Sequence, residues 1–349
     1  MTRLIFIGVD RKAKGGIASV LDAYETMFPN AKFVVTTNTK GKLLKLFAFV
    51  KSTVLLFFLA LFNRNTVFHI HGASYNSFKR KYVFYRIINI FKCKVVFHVH
   101  GGEFHLFYEG ADPGLKQRIT HLINSVDCVV CLSEQWKHFF ETNFQPKRLE
   151  IVKNVVKMSE FRQTIENSKV SFLFLGFLSE GKGIWILLEA VRELVAQGKS
   201  FELVIGGNGD EERLKQLINT FQIENFVDYK GWIVGKQKEK LLSSTDVFVL
   251  PSYNEGVPIS ILEAMSFDKP VIATNVGGIP DVLTSEDGIL IEPGDLNALV
   301  NAMRFAIDNR IQMRALGAGS SQKITAHYPE TVKHQLLQIY SEIEKNESR

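Results

Sequence analysis

Short apolar runs recur along this chain, separated by longer stretches in which apolar residues stand three and four apart. The runs read as buried strands and the stretches between them as amphipathic helices. The strand-like runs are Leu4–Gly8, Lys32–Thr36, Thr66–Ile70, Lys94–Val99, Cys128–Leu132, Val170–Leu175, Phe201–Ile205, Val227–Lys230, Val247–Leu250 and Val271–Ala273. Strands that alternate with helices predict parallel sheets, and ten runs fit two of them, so the fold class expected is α/β. No internal repeat or low-complexity tract interrupts the pattern.

One stretch departs from the alternation. From Lys40 to Arg64 the lysines Lys40, Lys42, Lys45 and Lys51 are followed by an uncharged run, Ser52 to Phe62, centred on Leu55, Phe57 and Leu59. A spanning helix needs about 20 apolar residues, and this run is shorter. At 100° per residue Lys42 and Lys45 lie nearly opposite Lys51, so no single basic face forms. A buried core helix is the expectation, with an interfacial helix as the alternative.

Composition adds bounds. A chain of 349 residues with 46% hydrophobic and 22% charged residues has the length and balance of two globular domains. Three cysteines predict a reducing compartment without a disulfide framework. Cys128 and Cys131 have redox spacing but stand in an apolar strand, which reads as core. The N-terminus runs straight into a strand, so a cytoplasmic protein is expected, with attachment to the inner face of a membrane left open. Residues 1–150 carry 21 Lys/Arg against 10 Asp/Glu, whereas residues 151–349 carry 21 against 26. A basic first half can face an anionic membrane surface, and no nucleic-acid-binding motif accompanies it.

The densest chemistry follows the Val247–Leu250 strand. Pro251-Ser252-Tyr253-Asn254-Glu255-Gly256-Val257-Pro258 forms a loop, and Pro258 has the φ favoured at the first position of a helix that opens near Ile259. The first turn offers unpaired N–H groups at Ser260 and Ile261 and the positive end of the helix dipole, a place for a diphosphate. Glu255 in the loop and Glu263 one turn into the helix suit sugar or ribose hydroxyls, since neither carboxylate can approach phosphate. The spacing alone leaves open a plain loop glutamate and a solvated helix glutamate.

Continuing through Lys269-Pro270-Val271-Ile272, Gly277-Gly278-Ile279-Pro280, Gly288 and Pro293-Gly294-Asp295, the segment resembles the donor-binding core of glycosyltransferase family 4. The resemblance extends over most of the chain. It implies the GT-B architecture, two Rossmann-like parallel-sheet domains facing each other across a cleft, and a retaining, metal-independent transferase acting on a nucleoside diphosphate sugar. The text around Ile151 to Phe161 is similar to the family's interdomain crossing. The domains expected are residues 1–158 with a returning helix at about 329–349, and residues 159–328, with a linker near Glu160 to Lys169.

The resemblance also assigns residues. Gly15 and Gly16, after the first strand, match a loop that touches the donor diphosphate. Gly176 to Gly183 resembles the family's diphosphate clamp: Lys182 matches its lysine, while Phe177 stands where an arginine is expected, which removes a charge-assisted contact. Gly207, Gly209, Gly231 and Ile233 fall where the nucleoside is held, and Gly256 and Val257 complete the loop. His100 matches the residue over the donor sugar. Ser133 and Glu103 are further candidates, on the acceptor side.

Two histidine pairs, His69 with His71 and His98 with His100, each point their rings to one face of a strand, which opens a His-x-His metallohydrolase as a competing reading. No Asp-x-Asp pair supports it, and no metal is expected. The combined reading is a retaining glycosyltransferase, with UDP or GDP as the expected carrier and a glycan or lipid-linked glycan as acceptor, in cell-surface polysaccharide or glycolipid assembly. A non-catalytic nucleotide-sugar-binding subunit is the alternative that Phe177 suggests.

Overall fold

The computed structural model describes residues 3–37, 41–63, 65–157 and 168–345. Its chain divides into two compact units, Met1–Val155 with Pro329–Arg349, and Val156–Tyr328. The expected boundary at 158/159 and most of the expected linker lie outside the described residues.

The first unit holds β1 (Arg3–Gly8), β2 (Lys32–Val35), β3 (Thr66–Gly72), β4 (Lys94–Val99), β5 (Cys128–Cys131) and β6 (Leu149–Ile151), all parallel, in the order β2-β1-β3-β4-β5-β6. Strands β3 to β5 are buried almost throughout, as central strands covered on both faces must be. The helix Pro329–Lys345 completes this unit: its Gln335 Nε2 donates to the Ile151 carbonyl, its Tyr340 hydroxyl meets His69, and Arg148 pairs with its Glu342. Cys128 and Cys131 are free and buried, and burial pushes the Cys131 thiol up to about 12, so both behave as core residues.

The second unit holds β7 (Val170–Leu178), β8 (Phe201–Gly209), β9 (Val227–Tyr229), β10 (Val247–Leu250), β11 (Val271–Thr274) and β12 (Gly288–Ile291) in the order β12-β11-β10-β7-β8-β9, again parallel. The first strand of the unit, β7, has β8 on one side and β10 on the other. That is the doubly wound order with its switch point between β7 and β10, where chain connections leave in opposite directions and open a crevice beyond the strands' carboxyl ends.

Two strands, β6 and β12, were not expected. Each is a sheet-edge strand without a clean apolar run, β6 having Glu150 at its centre and β12 opening on Gly288, and is set by pairing with β5 or β11. β7 and β8 run longer than their apolar cores, through Leu178 and Gly209.

The largest departure is the helix Lys42–Phe62, 21 residues long. It is not a buried core helix. Only a stripe that includes Ser52, Leu56 and Ala60 is buried, while Leu43, Phe47, Val50, Val54 and Phe58 are exposed. The uncharged run accounts for only its second half; the helix extends back through Lys51 and Lys45. Among the described residues it is the helix long and apolar enough, by length and composition, to cross a membrane.

Candidate donor site

The site in the second unit is built at the ends of the two strands that flank its switch point. Leaving β7, the chain makes a single 3-10 turn, Glu180–Lys182, and enters the helix Ile184–Ala196 at Gly183. Leaving β10, it makes the loop from Pro251 to Pro258 and enters the helix Ile259–Ser266. Pro258 is the residue before the first helical position, one earlier than its φ preference suggested, with ψ of 123° in the extended region.

These two exits are locked together. The Tyr253 N–H donates to the Gly181 carbonyl at 3.0 Å. Gly183 sits at φ +67°, and a Cβ placed there would lie 1.8 Å from the Pro251 carbonyl oxygen. No other residue both adopts that backbone conformation readily and leaves room for the carbonyl. Gly277 does the same on the other side: at φ +57°, its Cβ would lie 1.9 Å from the Glu255 carbonyl oxygen, and the Gly278 N–H donates to the Gly256 carbonyl at 2.6 Å.

The locked loops hold one carboxylate. Glu255 is buried, and its Oε1 accepts from the Lys182 ammonium at 2.5 Å and from the Ser252 hydroxyl at 2.8 Å. Ser252 is itself fully buried, and its carbonyl accepts from the Thr274 hydroxyl on β11. An ammonium has three donors, so Lys182 can hold Glu255 and still present hydrogens to an anion. The first-turn N–H groups of Ser260 and Ile261 stand a few residues beyond, at the positive end of their helix.

Glu263 is half-buried and paired with Lys238 of the helix Gly235–Ser244. Gly207 and Gly209 lie within β8 rather than in a loop, opposite Gly176 and Leu178 of β7. The Gly207 N–H donates to the Gly231 carbonyl at 2.8 Å, and its own carbonyl accepts from the Tyr229 hydroxyl. Ile233 is buried against Gly206. Gly207, Gly231 and Ile233 are thus brought together at the β8 and β9 exits. Gly256 and Val257 are buried in the β10 loop. Phe177 ends half-exposed on β7, opposite Asn208.

In the first unit the candidates lie beyond the ends of β1, β4 and β5. Gly15 precedes the helix Gly16–Met27, and both glycines are exposed. His100 follows β4, where its N–H donates to the Gly72 carbonyl. Its Nε2 lies 2.8 Å from His71 Nδ1, its ring stacks on His98 at 4.0 Å, and Asn154 hydrogen-bonds the same side chain. His69 Nε2 meets His98 Nδ1 at 3.1 Å, and His69 Nδ1 meets the Tyr340 hydroxyl at 2.6 Å.

Burial holds all four imidazoles neutral, with His69 and His100 lowered to about 3, and the four rings disfavour one another's charge. Among the described residues, His69, His71 and His98 are the group that could hold a metal ion, with ligand atoms within 4.8 Å of one another. The facing nitrogens of His69 and His98 are hydrogen-bonded to each other. Ser133 is fully buried and caps the helix Glu134–Asn143, accepting from the Trp136 N–H. Glu103 is exposed before the helix Phe104–Glu109.

Residues 156–323 match the family model for glycosyl transferases group 1. The matched residues lie almost wholly within the second unit. Among curated proteins, a putative colanic acid biosynthesis glycosyltransferase, WcaL of Salmonella typhimurium, is 28% identical over 58% of this chain and 54% of its own. The UDP-Gal:alpha-D-GlcNAc-diphosphoundecaprenol alpha-1,3-galactosyltransferase of Escherichia coli is 27% identical over 52% of each. The chain spans about half the length, or less, of the curated relatives it matches.

Among solved structures, sucrose-phosphate synthase from Thermosynechococcus elongatus superposes with a TM-score of 0.80 at 19% identity, covering 98% of this chain and 99% of that one. Anabaena HepE in complex with UDP-glucose superposes with a TM-score of 0.79 at 16% identity, covering 98% and 100%. At such identities the likeness defines the fold, and the fold is GT-B.

Proposed function

We propose that the protein is a retaining glycosyltransferase that moves a sugar from a nucleoside diphosphate sugar to a hydroxyl of a glycan or lipid-linked glycan, in the assembly of a cell-surface polysaccharide. The observation that carries this reading is Glu255, a buried carboxylate held by Lys182 and Ser252 at the switch point of the second unit, beside a free helix N-terminus. HepE was solved with UDP-glucose, and the names of WcaL and the galactosyltransferase point to polysaccharide and lipid-linked chemistry.

In this reading the diphosphate rests on Lys182 and on the N–H groups of Ser260 and Ile261, which stabilise the charge that develops as it leaves. Glu255 accepts hydrogen bonds from the sugar hydroxyls and stabilises positive charge at the anomeric carbon. Lys182 is shared: its bond to Glu255 couples the carboxylate under the sugar to the cation under the phosphate. Glu263 takes the ribose diol, exchanging part of its contact with Lys238. Backbone groups at Gly207, Gly231 and Ile233 receive the base. The departing phosphate accepts the acceptor proton, so no metal is required. The roles of Gly15, Gly16 and His100 are carried by the resemblance; a neutral His100 supplies a hydrogen bond and no charge.

Proton NMR of donor turnover tests the stereochemistry. With a UDP- or GDP-linked α-sugar and water as the only acceptor, the sugar released first should have the α configuration. Release of the β anomer ahead of mutarotation would overturn the retaining mechanism and leave the donor site standing.

A further inference from the structure

We propose that the outward face of the helix Lys42–Phe62 docks on an anionic lipid bilayer, lying flat among the headgroups with its phenylalanines in the acyl boundary. An amphipathic surface helix turns a polar face to water, and this one does not. Leu43 is 83% exposed, Phe47 67%, Val54 52% and Phe58 50%. At 100° per residue these four fall within one 60° sector, opposite the stripe of Ser52, Leu56 and Ala60 that faces the core. Phe57 and Phe62 flank them and are also exposed. An apolar patch of this length on a folded unit marks a surface that is covered in use.

The helix is not free to leave its unit and span a membrane. Phe49 packs tilted against Phe84 and Phe57 packs edge-to-face against Phe91, with ring centroids 5.4 and 5.2 Å apart, and the Cys93 thiol donates to the Ala60 carbonyl. These contacts tie down its length through the neighbouring helix Asn76–Ile90 and the segment after it. Spanning would drag that helix, with Lys79 and Arg86, into hydrocarbon.

Charge identifies what covers the face. Between Glu25 and Glu103 the chain has twelve lysines and arginines and no aspartate or glutamate. Lys51 is exposed at the border of the apolar sector of the helix itself, and Lys79, Arg86 and Lys92 are exposed on and just after the helix that packs against it. Ile90, 71% exposed, adds to the apolar area. An apolar strip set in a field of one sign, with lysines long enough to reach up to phosphates, fits anionic lipid. A second copy of the same face would set positive charge against positive charge.

The test is flotation of the full-length chain with vesicles, with no nucleotide sugar present, so its outcome is independent of the donor-site reading. Wild type should float with vesicles of 70% phosphatidylcholine and 30% phosphatidylglycerol at least tenfold more strongly than with phosphatidylcholine alone. The triple variant Phe47→Ser, Val54→Ser, Phe58→Ser should lose at least tenfold of that binding while its melting temperature is unchanged, because all three side chains are already exposed. Wild type that stays unbound, or a folded triple variant that floats like wild type, overturns the proposal. A wild type that is dimeric without lipid and becomes monomeric in the triple variant overturns it in favour of a second copy on this face.

Discussion

Replacing Glu255 by glutamine should leave a folded protein that still binds the nucleotide and turns over about 10²–10³-fold more slowly, the loss typical of removing one pre-organised electrostatic group. Glutamine keeps the size of the side chain and an oxygen for the Ser252 hydroxyl, so the loop from Pro251 to Pro258 keeps its shape. What disappears is the charge that Lys182 holds in place and that faces the anomeric carbon as the bond to the diphosphate breaks. Affinity should stay within a few-fold, since Lys182 and the helix N-terminus remain. Steady-state rates and a binding titration of the same preparation separate the two effects. Wild-type turnover by Glu255→Gln would remove Glu255 from the mechanism.

Gly183→Ala should damage both stability and donor binding, because residue 183 packs against the backbone of the loop that carries Glu255. The substitution combines a positive φ with a Cβ placed 1.8 Å from the Pro251 backbone oxygen, and backbone cannot swing aside as a side-chain tip can. A loss of about 3–5 kcal/mol is expected, at the upper end for a point mutation, and corresponds to roughly 10 °C in the melting temperature of a unit this size. The chain can relieve the clash only by moving Pro251 and Ser252, which carries the Glu255 anchor with it, so donor affinity should fall too. Differential scanning calorimetry with and without nucleotide checks both parts. A melting temperature within 2 °C of wild type would show that the contact at Gly183 is dispensable, as estimated from the same scale.

The contrast between these residues shows what a sequence exposes and what it hides. Central strands such as β3, β4 and β10 are legible because burial on both faces demands continuous apolar runs. Edge strands β6 and β12 are interrupted by Glu150 and opened by Gly288, show no clean apolar run, and exist through pairing. Glu255 and Lys182 are legible because their loops carry glycines and prolines at telling positions. Ser252 sits in the same loop, but a serine there reads as an ordinary turn residue; only the fold shows it donating to Glu255. Lys238 is invisible for another reason: it reaches Glu263 from a separate helix 25 positions away. The expected strand stops at Ile205 because glycine weakens strand propensity, yet β8 continues through Gly207 and Gly209 alongside β7.

The helix Lys42–Phe62 was misread for a physical reason as well. Hydrophobicity says that a segment avoids water without saying whether protein or lipid replaces it. Lysines at positions 45 and 51 interrupt the uncharged run and make it look short, whereas the helix continues through both. The histidines of β3 and β4 present the reverse case. Their spacing suggests a metal site, and the fold gathers them into a buried, neutral, hydrogen-bonded cluster closed by Tyr340 from the far end of the chain, in which His69, His71 and His98 are placed to hold an ion.

The account rests on a nucleoside diphosphate sugar binding the second unit at the switch point, and thermal stability against a nucleotide panel, with and without a chelator, tests it most directly. At 100 times the dissociation constant a ligand adds about 2.7 kcal/mol. The account predicts a rise in melting temperature for nucleotides of one base, uridine or guanosine, that survives chelator and vanishes in Glu263→Ala. No rise with any nucleotide, or a rise of equal size in Glu263→Ala, would contradict it.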